Sequence, residues 1–252
     1  MHGLTGAPSE LLPVARRLNA AGMRCLGPIM AGHGGDARAL VGLRWTDWVS
    51  EAHRHLLALE GARRTLVVGS SMGALVACVL AHEHPERIDG LALLAPALRL
   101  TRAGRLGGLL GRVLPGLVLP KSSGFDVRDA EAKRTTPAMR EVPLAAVAQL
   151  VELQRAVERF LPGIAAPALV IMGGQDHTVT VSGARRLARR IGSGPSPVVM
   201  LPRSYHLVGI DVERDRCADE VLEFFRRIPV PRAGRGGAAR AAGGEGGTLP
   251  QE

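Results

Sequence analysis

The chain has 252 residues, is 46% hydrophobic and carries a formal net charge of +9, which favours one α/β domain with a substantial core over two small domains. No run approaches the roughly 18 consecutive apolar residues of a membrane-spanning helix, since "LALLAPAL" is too short and "GLLGRVLPGLVLP" is broken by Arg112 and Pro115. The positive charge is nearly all arginine spread over every segment, and aromatics are only 3%, so no base-stacking basic stripe exists and a nucleic-acid partner is excluded.

In chain order, residues 10–22 read as a helix ending near Gly22. Residues 23–30, "MRCLGPIM", read as a strand that leads into the turn "AGHGGD". Residues 46–62 read as a helix with Thr46 or Asp47 as its N-cap. "RTLVVG" is an apolar strand, "MGALVACVLAHEH" a buried helix and "RIDGLALLAP" a second buried strand. Residues 99–160 show no strand signal and form an insert. "APALVIMGG", "SGARRLARRIG", "SPVVMLP" and "ERDRCADEVLEFFRRI" then repeat strand, helix, strand, helix. Strands apolar on both faces, alternating with helices, indicate a mostly parallel sheet with helices on both faces. The expected organisation is core over 1–98, insert over 99–160, core again over 161–228 and a disordered tail over 229–252, where almost no side chain can build a core. Cys25, Cys78 and Cys217 are odd in number and widely spaced, which fits neither a disulfide framework nor a metal site. Cys25 and Cys78 lie in apolar runs and are expected to be buried, and the lack of disulfide spacing points to the cytoplasm.

The chemistry centres on Gly69-Ser70-Ser71-Met72-Gly73, a G-x-S-x-G pattern between an apolar strand and a buried helix. A serine hydroxyl is a weak nucleophile, so it must project from a tight turn toward a base. Small residues on either side let that turn pack closely, and the following helix aims a backbone N–H at a developing oxyanion. Ser71 is the expected nucleophile, and Ser70 is its neighbour. An acid and a histidine must follow. Asp176 lies just after a predicted strand, in "VIMGGQDHTV", and His206 after the next, in "LPRSYHLVGID". His206 would take the Ser71 proton while Asp176 fixes its tautomer. His177 adjoins the acid without reach to the serine, and Asp211 reads as a helix-start charge. His33 is expected to make structural hydrogen bonds near a pocket rim. His53, His55, His82 and His84 fall in i, i+2 pairs on different helix faces and cannot share a metal. No phosphate-loop or dinucleotide fingerprint occurs, so no cofactor is expected.

In this order the motifs resemble the α/β-hydrolase superfamily, in its branch of bacterial carboxylesterases and monoacylglycerol lipases with a small lid. "HGLTGAP" is similar to the oxyanion loop of that branch, "GHGGD" to its Gly-His-Gly turn, and "WTDWVSEA" to the Asp-Trp helix before the nucleophile strand. The resemblance spans His2 to about Arg227. It implies that Leu4 and Met72 donate backbone N–H groups to an oxyanion, and it agrees with Asp176 and His206. It also implies a small-molecule ester substrate, and the apolar content of the lid suggests short-to-medium acyl esters or monoacylglycerols. Two alternatives stand beside hydrolysis: acyl transfer to another acceptor by the same residues, and a non-catalytic or truncated chain of this fold.

In the resembling fold the H-G-x-T-G loop ends the third strand, and the strand order is 1-2-4-3-5-6-7-8. A chain starting at this loop is expected to lack its first strands. "CLGPIM" would then stand one strand's width from "TLVVG", or shift to pair with it directly. The first outcome leaves buried backbone groups unpaired at about 1–3 kcal/mol each, so an incomplete start is the favoured reading. In the insert, Leu106, Leu109, Leu110, Val113, Leu114 and Leu117 recur at helical spacing beside Arg102, Arg105 and Arg112. One reading is a basic amphipathic segment that touches anionic lipid. The favoured one is a mobile lid whose apolar face roofs an acyl pocket, because Gly104, Gly107, Gly108, Gly111 and Pro115 weaken a helix. The stretch 136–170 resembles the lid-to-strand return of the esterase branch, and its apolar residues would line the substrate entrance.

Overall fold

Four of the apolar runs form one parallel sheet in the computed structural model, which describes residues 1–59, 61–121 and 124–230. The elements in chain order are α1 (Leu12–Ala20), α2 (Trp45–Leu57), β1 (Leu66–Ser70), α3 (Met72–Glu83), β2 (Gly90–Leu94), α4 (Arg102–Val113), β3 (Val118–Pro120), α5 (Ala130–Thr135), β4 (Glu141–Pro143), α6 (Leu144–Phe160), β5 (Ala168–Gly173), α7 (Val181–Arg190), β6 (Val198–Leu201) and α8 (Arg214–Arg227). The main sheet runs β1-β2-β5-β6, and β3 pairs with β4 in a separate antiparallel ribbon.

The alternation of side chains along the strands sorts the core into two layers. Leu91, Leu93, Val170 and Met172 point to one face, where α2, α3, α6 and α7 cover them. Ala92, Leu94, Leu169 and Ile171 point to the other, where α1 and α8 cover them through Val14, Leu18, Val221 and Phe225. Helix α3 is apolar all round because it is buried all round, from Met72 to Ala81. The parallel sheet with helices on both faces is therefore as expected.

Three expectations are corrected. Asp47 does not stand at the N-cap of α2; it lies at the third helical position, and its carboxylate accepts from the N–H of Arg44, the true cap, at 2.7 Å. Residues 23–30 form no strand. The backbone position against the outer edge of β1 is taken by Met1, whose nitrogen donates to the Val68 carbonyl at 2.7 Å and whose carbonyl accepts from Ser70 N–H at 2.9 Å. Residues 23–28 stand across a cleft of about 990 Å³ lined by Leu11, Val14, Leu26, Leu66 and Phe225. Cys25 consequently lies exposed, whereas Cys78 is buried as expected.

The third correction concerns the insert. It contains the β3–β4 ribbon, and α4 is a regular twelve-residue helix despite its glycines. Those glycines are its packing face. A Cβ on Gly108 would come within 2.7 Å of the Val151 side chain, and one on Gly111 would fall onto the Leu144 carbonyl oxygen. Close backbone approach to α6 repays the poor helix propensity of glycine. Gly111→Ala is expected to cost about 1–3 kcal/mol, because the obstructing atom is backbone and cannot rotate away. A urea unfolding midpoint unchanged by this substitution would contradict so close a seat. Residues 231–252, most of the expected tail, lie outside the described residues.

Candidate active site

The strand β1 delivers Ser71 to a sharp turn at φ 53°, ψ −112°, directly before α3. A non-glycine residue holds this left-handed geometry only when its surroundings enforce it. Here Ser71 N–H donates to the Leu94 carbonyl at 2.8 Å, and its own carbonyl accepts from Ala97 N–H at 3.2 Å. Gly69 and Gly73 make the turn sterically feasible. A Cβ on Gly69 would lie 2.6 Å from Ala74 N, and one on Gly73 would lie 2.6 Å from the His2 carbonyl oxygen. Ser71 Oγ lies 2.9 Å from His206 Nε2, and His206 Nδ1 lies 2.8 Å from Asp176 Oδ2. The other oxygen of Asp176 accepts from Thr178 N–H at 2.8 Å and Val179 N–H at 2.9 Å, which fixes the carboxylate. Residues 135 and 30 positions apart in sequence thus meet in one line.

The loop at residues 2–6 lies beside them. His2 Nε2 accepts from Met30 N–H at 3.1 Å, which places its proton on Nδ1, facing the Gly3 carbonyl at 2.9 Å. His33 Nε2 accepts from Thr5 N–H at 3.0 Å, so His33 has the structural role read from its turn. Among the described residues, Leu4 N–H and Met72 N–H have no hydrogen-bond partner. Leu4 follows Gly3, where a Cβ would lie 3.2 Å from Ser71 Cβ, and Met72 directly follows Ser71, so both free donors belong to residues close to Ser71.

Residues 1–213 match the family described as serine aminopeptidase, S33. The chain belongs to that family. Its sheet and flanking helices are those of an α/β-hydrolase. The chain is 29% identical to a thermostable monoacylglycerol lipase of Bacillus sp. (strain H-257), over 90% of this chain and 89% of that one. It is 23% identical to a carboxylesterase of Bacillus subtilis (strain 168), over 90% and 91%. Among solved structures it is similar to that reported under LipS and LipT, two metagenome-derived lipolytic enzymes, with a TM-score of 0.80 and 26% identity over 89% of this chain and 91% of that one.

The electrostatics of this hydrolase separate the titratable groups. Burial works against the His206 imidazolium, but the Asp176 carboxylate beside it, helped by Asp126 and Glu10, outweighs burial and holds its pKa above the ordinary value. Burial likewise works against ionised Asp176, and the His206 partner with two backbone N–H donors keeps its carboxyl below the usual range. Burial raises Glu10. It also lowers Lys121 to about 8, against the pull of Glu10.

Several residues of the hydrolase site were not singled out in its sequence. Glu10 is buried and accepts from Gly3 N–H at 3.0 Å, so it braces the loop that carries Leu4. Lys121, from the insert, donates to the Thr5 hydroxyl of the same loop. Asp126, also from the insert, accepts from His177 N–H and from the Thr178 hydroxyl, each at 2.9 Å, and its carbonyl accepts from His206 N–H at 3.1 Å. No spacing rule could find Lys121 and Asp126, because the insert meets the core only in three dimensions, and the turn of Glu10 back over seven residues to the Gly3 backbone is marked by no side-chain pattern. Asp211 is not a helix-start charge. It is fully buried and accepts from the N–H groups of Arg128, Asp129, Tyr205 and Val212, tying the insert to the His206 loop. His177 pairs with Asp126 and stays apart from Ser71, as expected. His53 and His82 stack on His84 and Phe160, and no group that could hold a metal occurs among the described residues. No described helix is long and apolar enough to cross a membrane.

Proposed function

We propose that this chain hydrolyses carboxylic esters through an acyl-enzyme on Ser71. The observation that carries the reading is the continuous line from Ser71 Oγ through His206 to Asp176, with contacts of 2.9 and 2.8 Å. Ser71 Oγ attacks the ester carbonyl carbon while His206 Nε2 takes its proton. The carbonyl oxygen becomes an oxyanion held by the Leu4 and Met72 N–H groups. The tetrahedral intermediate collapses, the proton passes from His206 to the departing alkoxide, and the acyl group stays on Ser71. Water, deprotonated by His206, then attacks the acyl carbon, and the acid leaves as Ser71 Oγ recovers the proton. Asp176 remains ionised throughout and stabilises the imidazolium. The relatives named as monoacylglycerol lipase and carboxylesterase support a small ester with an apolar acyl chain as substrate.

The test is hydrolysis of p-nitrophenyl esters of graded acyl length, followed at early times and across pH. An initial burst of p-nitrophenol close to one equivalent is expected if deacylation is slower than acylation. His206 acts only when neutral, and its pKa is raised, so activity is lost as pH falls through that raised value. The acid limb of kcat/KM is therefore expected above about 6.5, the ordinary imidazole value. A limb at or below that value would contradict the assigned base.

A further inference from the structure

The insert reaches the oxyanion loop through its ribbon, not through its helix. The glycines of α4 face α6, while Leu106, Leu109 and Val113 face solvent at 57%, 59% and 73% exposure, which corrects the expected apolar roof. In the ribbon, Val118 pairs with Pro143 and Pro120 with Glu141. Lys121 N–H extends that ladder by donating to the Arg140 carbonyl at 2.8 Å. This end of the ribbon meets Thr5 from both strands. Lys121 Nζ donates to the Thr5 hydroxyl, and Met139 N–H donates to the Thr5 carbonyl at 2.9 Å. Lys121 is itself held in place, with its ammonium 5.0 Å from the centre of the Phe125 ring and its carbonyl accepting from Gly124 N–H at 2.9 Å.

The backbone of Thr5 needs such a hold. Gly6 N–H donates to the Gly3 carbonyl at 3.1 Å, which closes a four-residue turn over Gly3-Leu4-Thr5-Gly6. The third residue of that turn, Thr5, has φ 60°, a place that turn chemistry gives to glycine or asparagine. A β-branched side chain is strained there and persists only where its surroundings over-determine it. Four hydrogen bonds do so. Thr5 N–H donates to His33 Nε2 at 3.0 Å, and the hydroxyl donates to the Leu4 carbonyl at 2.5 Å while accepting from Lys121. The fourth comes from Met139. Two of the four therefore come from the ribbon, and the turn they hold is the one that carries the free Leu4 N–H.

We propose that the β3–β4 ribbon clamps the oxyanion turn, with Lys121 as a positioning residue that acts through Thr5 to keep Leu4 N–H aimed at the oxyanion. The proposal rests on the ester-hydrolase reading for its purpose, but the clamp is also read without turnover. The full chain, Lys121→Met, Thr5→Val and the double variant would be compared in three ways. These are amide hydrogen exchange, kinetics on a water-soluble acetate ester, and inhibition by an alkyl trifluoromethyl ketone, whose adduct on a serine carries an oxyanion. In Lys121→Met, exchange at the Thr5 and Gly6 amides is expected to quicken about tenfold. Its kcat is expected to fall about tenfold with KM within about twofold, because aim matters only once the carbonyl oxygen carries charge. The ketone should bind more weakly by the same factor as kcat falls. Thr5→Val should show the same losses, and the double variant no more than either single one, since both break one link. Parent-like exchange in Lys121→Met, or parent-like kcat in an active chain, would overturn the proposal. So would a rise in KM alone, which would make Lys121 a substrate contact, or additive losses in the double variant, which would separate Lys121 from Thr5. Thr5→Val keeps the same readouts decisive if Lys121→Met does not fold. Faster exchange in a chain that cleaves no ester would support the clamp while removing the hydrolase reading.

Discussion

Ser71→Ala is expected to lower ester cleavage by at least about 10⁴-fold, with the fold intact. In the proposed mechanism the side chain removed is the one that forms the covalent bond, so neither His206 nor the free Leu4 and Met72 donors would compensate. What survives should be the small acceleration that oxyanion binding and positioning give to direct attack by water. Folding should be spared, because the Ser71 hydroxyl meets only His206 while the turn is held by backbone groups, its N–H on Leu94 and its carbonyl on Ala97. Steady-state rates on a soluble ester, with circular dichroism as the folding control, check this. Parent-level activity in the alanine variant would remove Ser71 from the chemistry.

Asp176→Asn is expected to be nearly as damaging, at about 10⁴-fold in kcat. An asparagine amide keeps the shape, but it can present an N–H to His206 Nδ1 and so select the tautomer whose Nε2 carries the proton and cannot accept one from Ser71. Asp126 supplies the comparison. It is close enough to raise the His206 pKa, yet its carboxylate hydrogen bonds go to His177 and Thr178. Asp126→Asn should therefore cost far less activity and shift the acid limb of kcat/KM to lower pH, because one negative charge near the imidazolium is gone. Equal losses in the two variants would show that the insert carboxylate shares the work assigned to Asp176.

The contrast between Asp176 and Asp126 also shows what the sequence could reveal. Ser71, Asp176 and His206 are legible because each follows a strongly apolar strand, and strand ends in a parallel sheet converge on one edge. The two-faced burial of β2 and β5 is legible for the same reason: unbroken apolar runs. Lys121 and Asp126 are not legible, because a single charged residue in the insert carries no period and its partner lies far along the chain; Glu10 is not, because its carboxylate turns back seven residues to the backbone N–H of Gly3, a partner that no side-chain pattern marks. Helix α4 misleads in a specific way. Its glycines read as helix weakness, yet their lack of a Cβ is what lets α4 sit against α6, and that contact decides which way the leucines face. Residues 23–30 mislead conversely. Their composition suits a strand, but a strand exists only where a partner edge is within reach, and the edge of β1 is met by Met1 instead.

The central claim, an acyl-enzyme on Ser71, is tested most directly by intact-mass and peptide mass spectrometry after treatment with a fluorophosphonate ester. One phosphonyl group is expected per chain, on the peptide that contains Ser71, with loss of ester cleavage in proportion to labelling and no adduct in Ser71→Ala. An adduct on any other residue that accompanies the loss of activity, or full inhibition with Ser71 unlabelled, would contradict it.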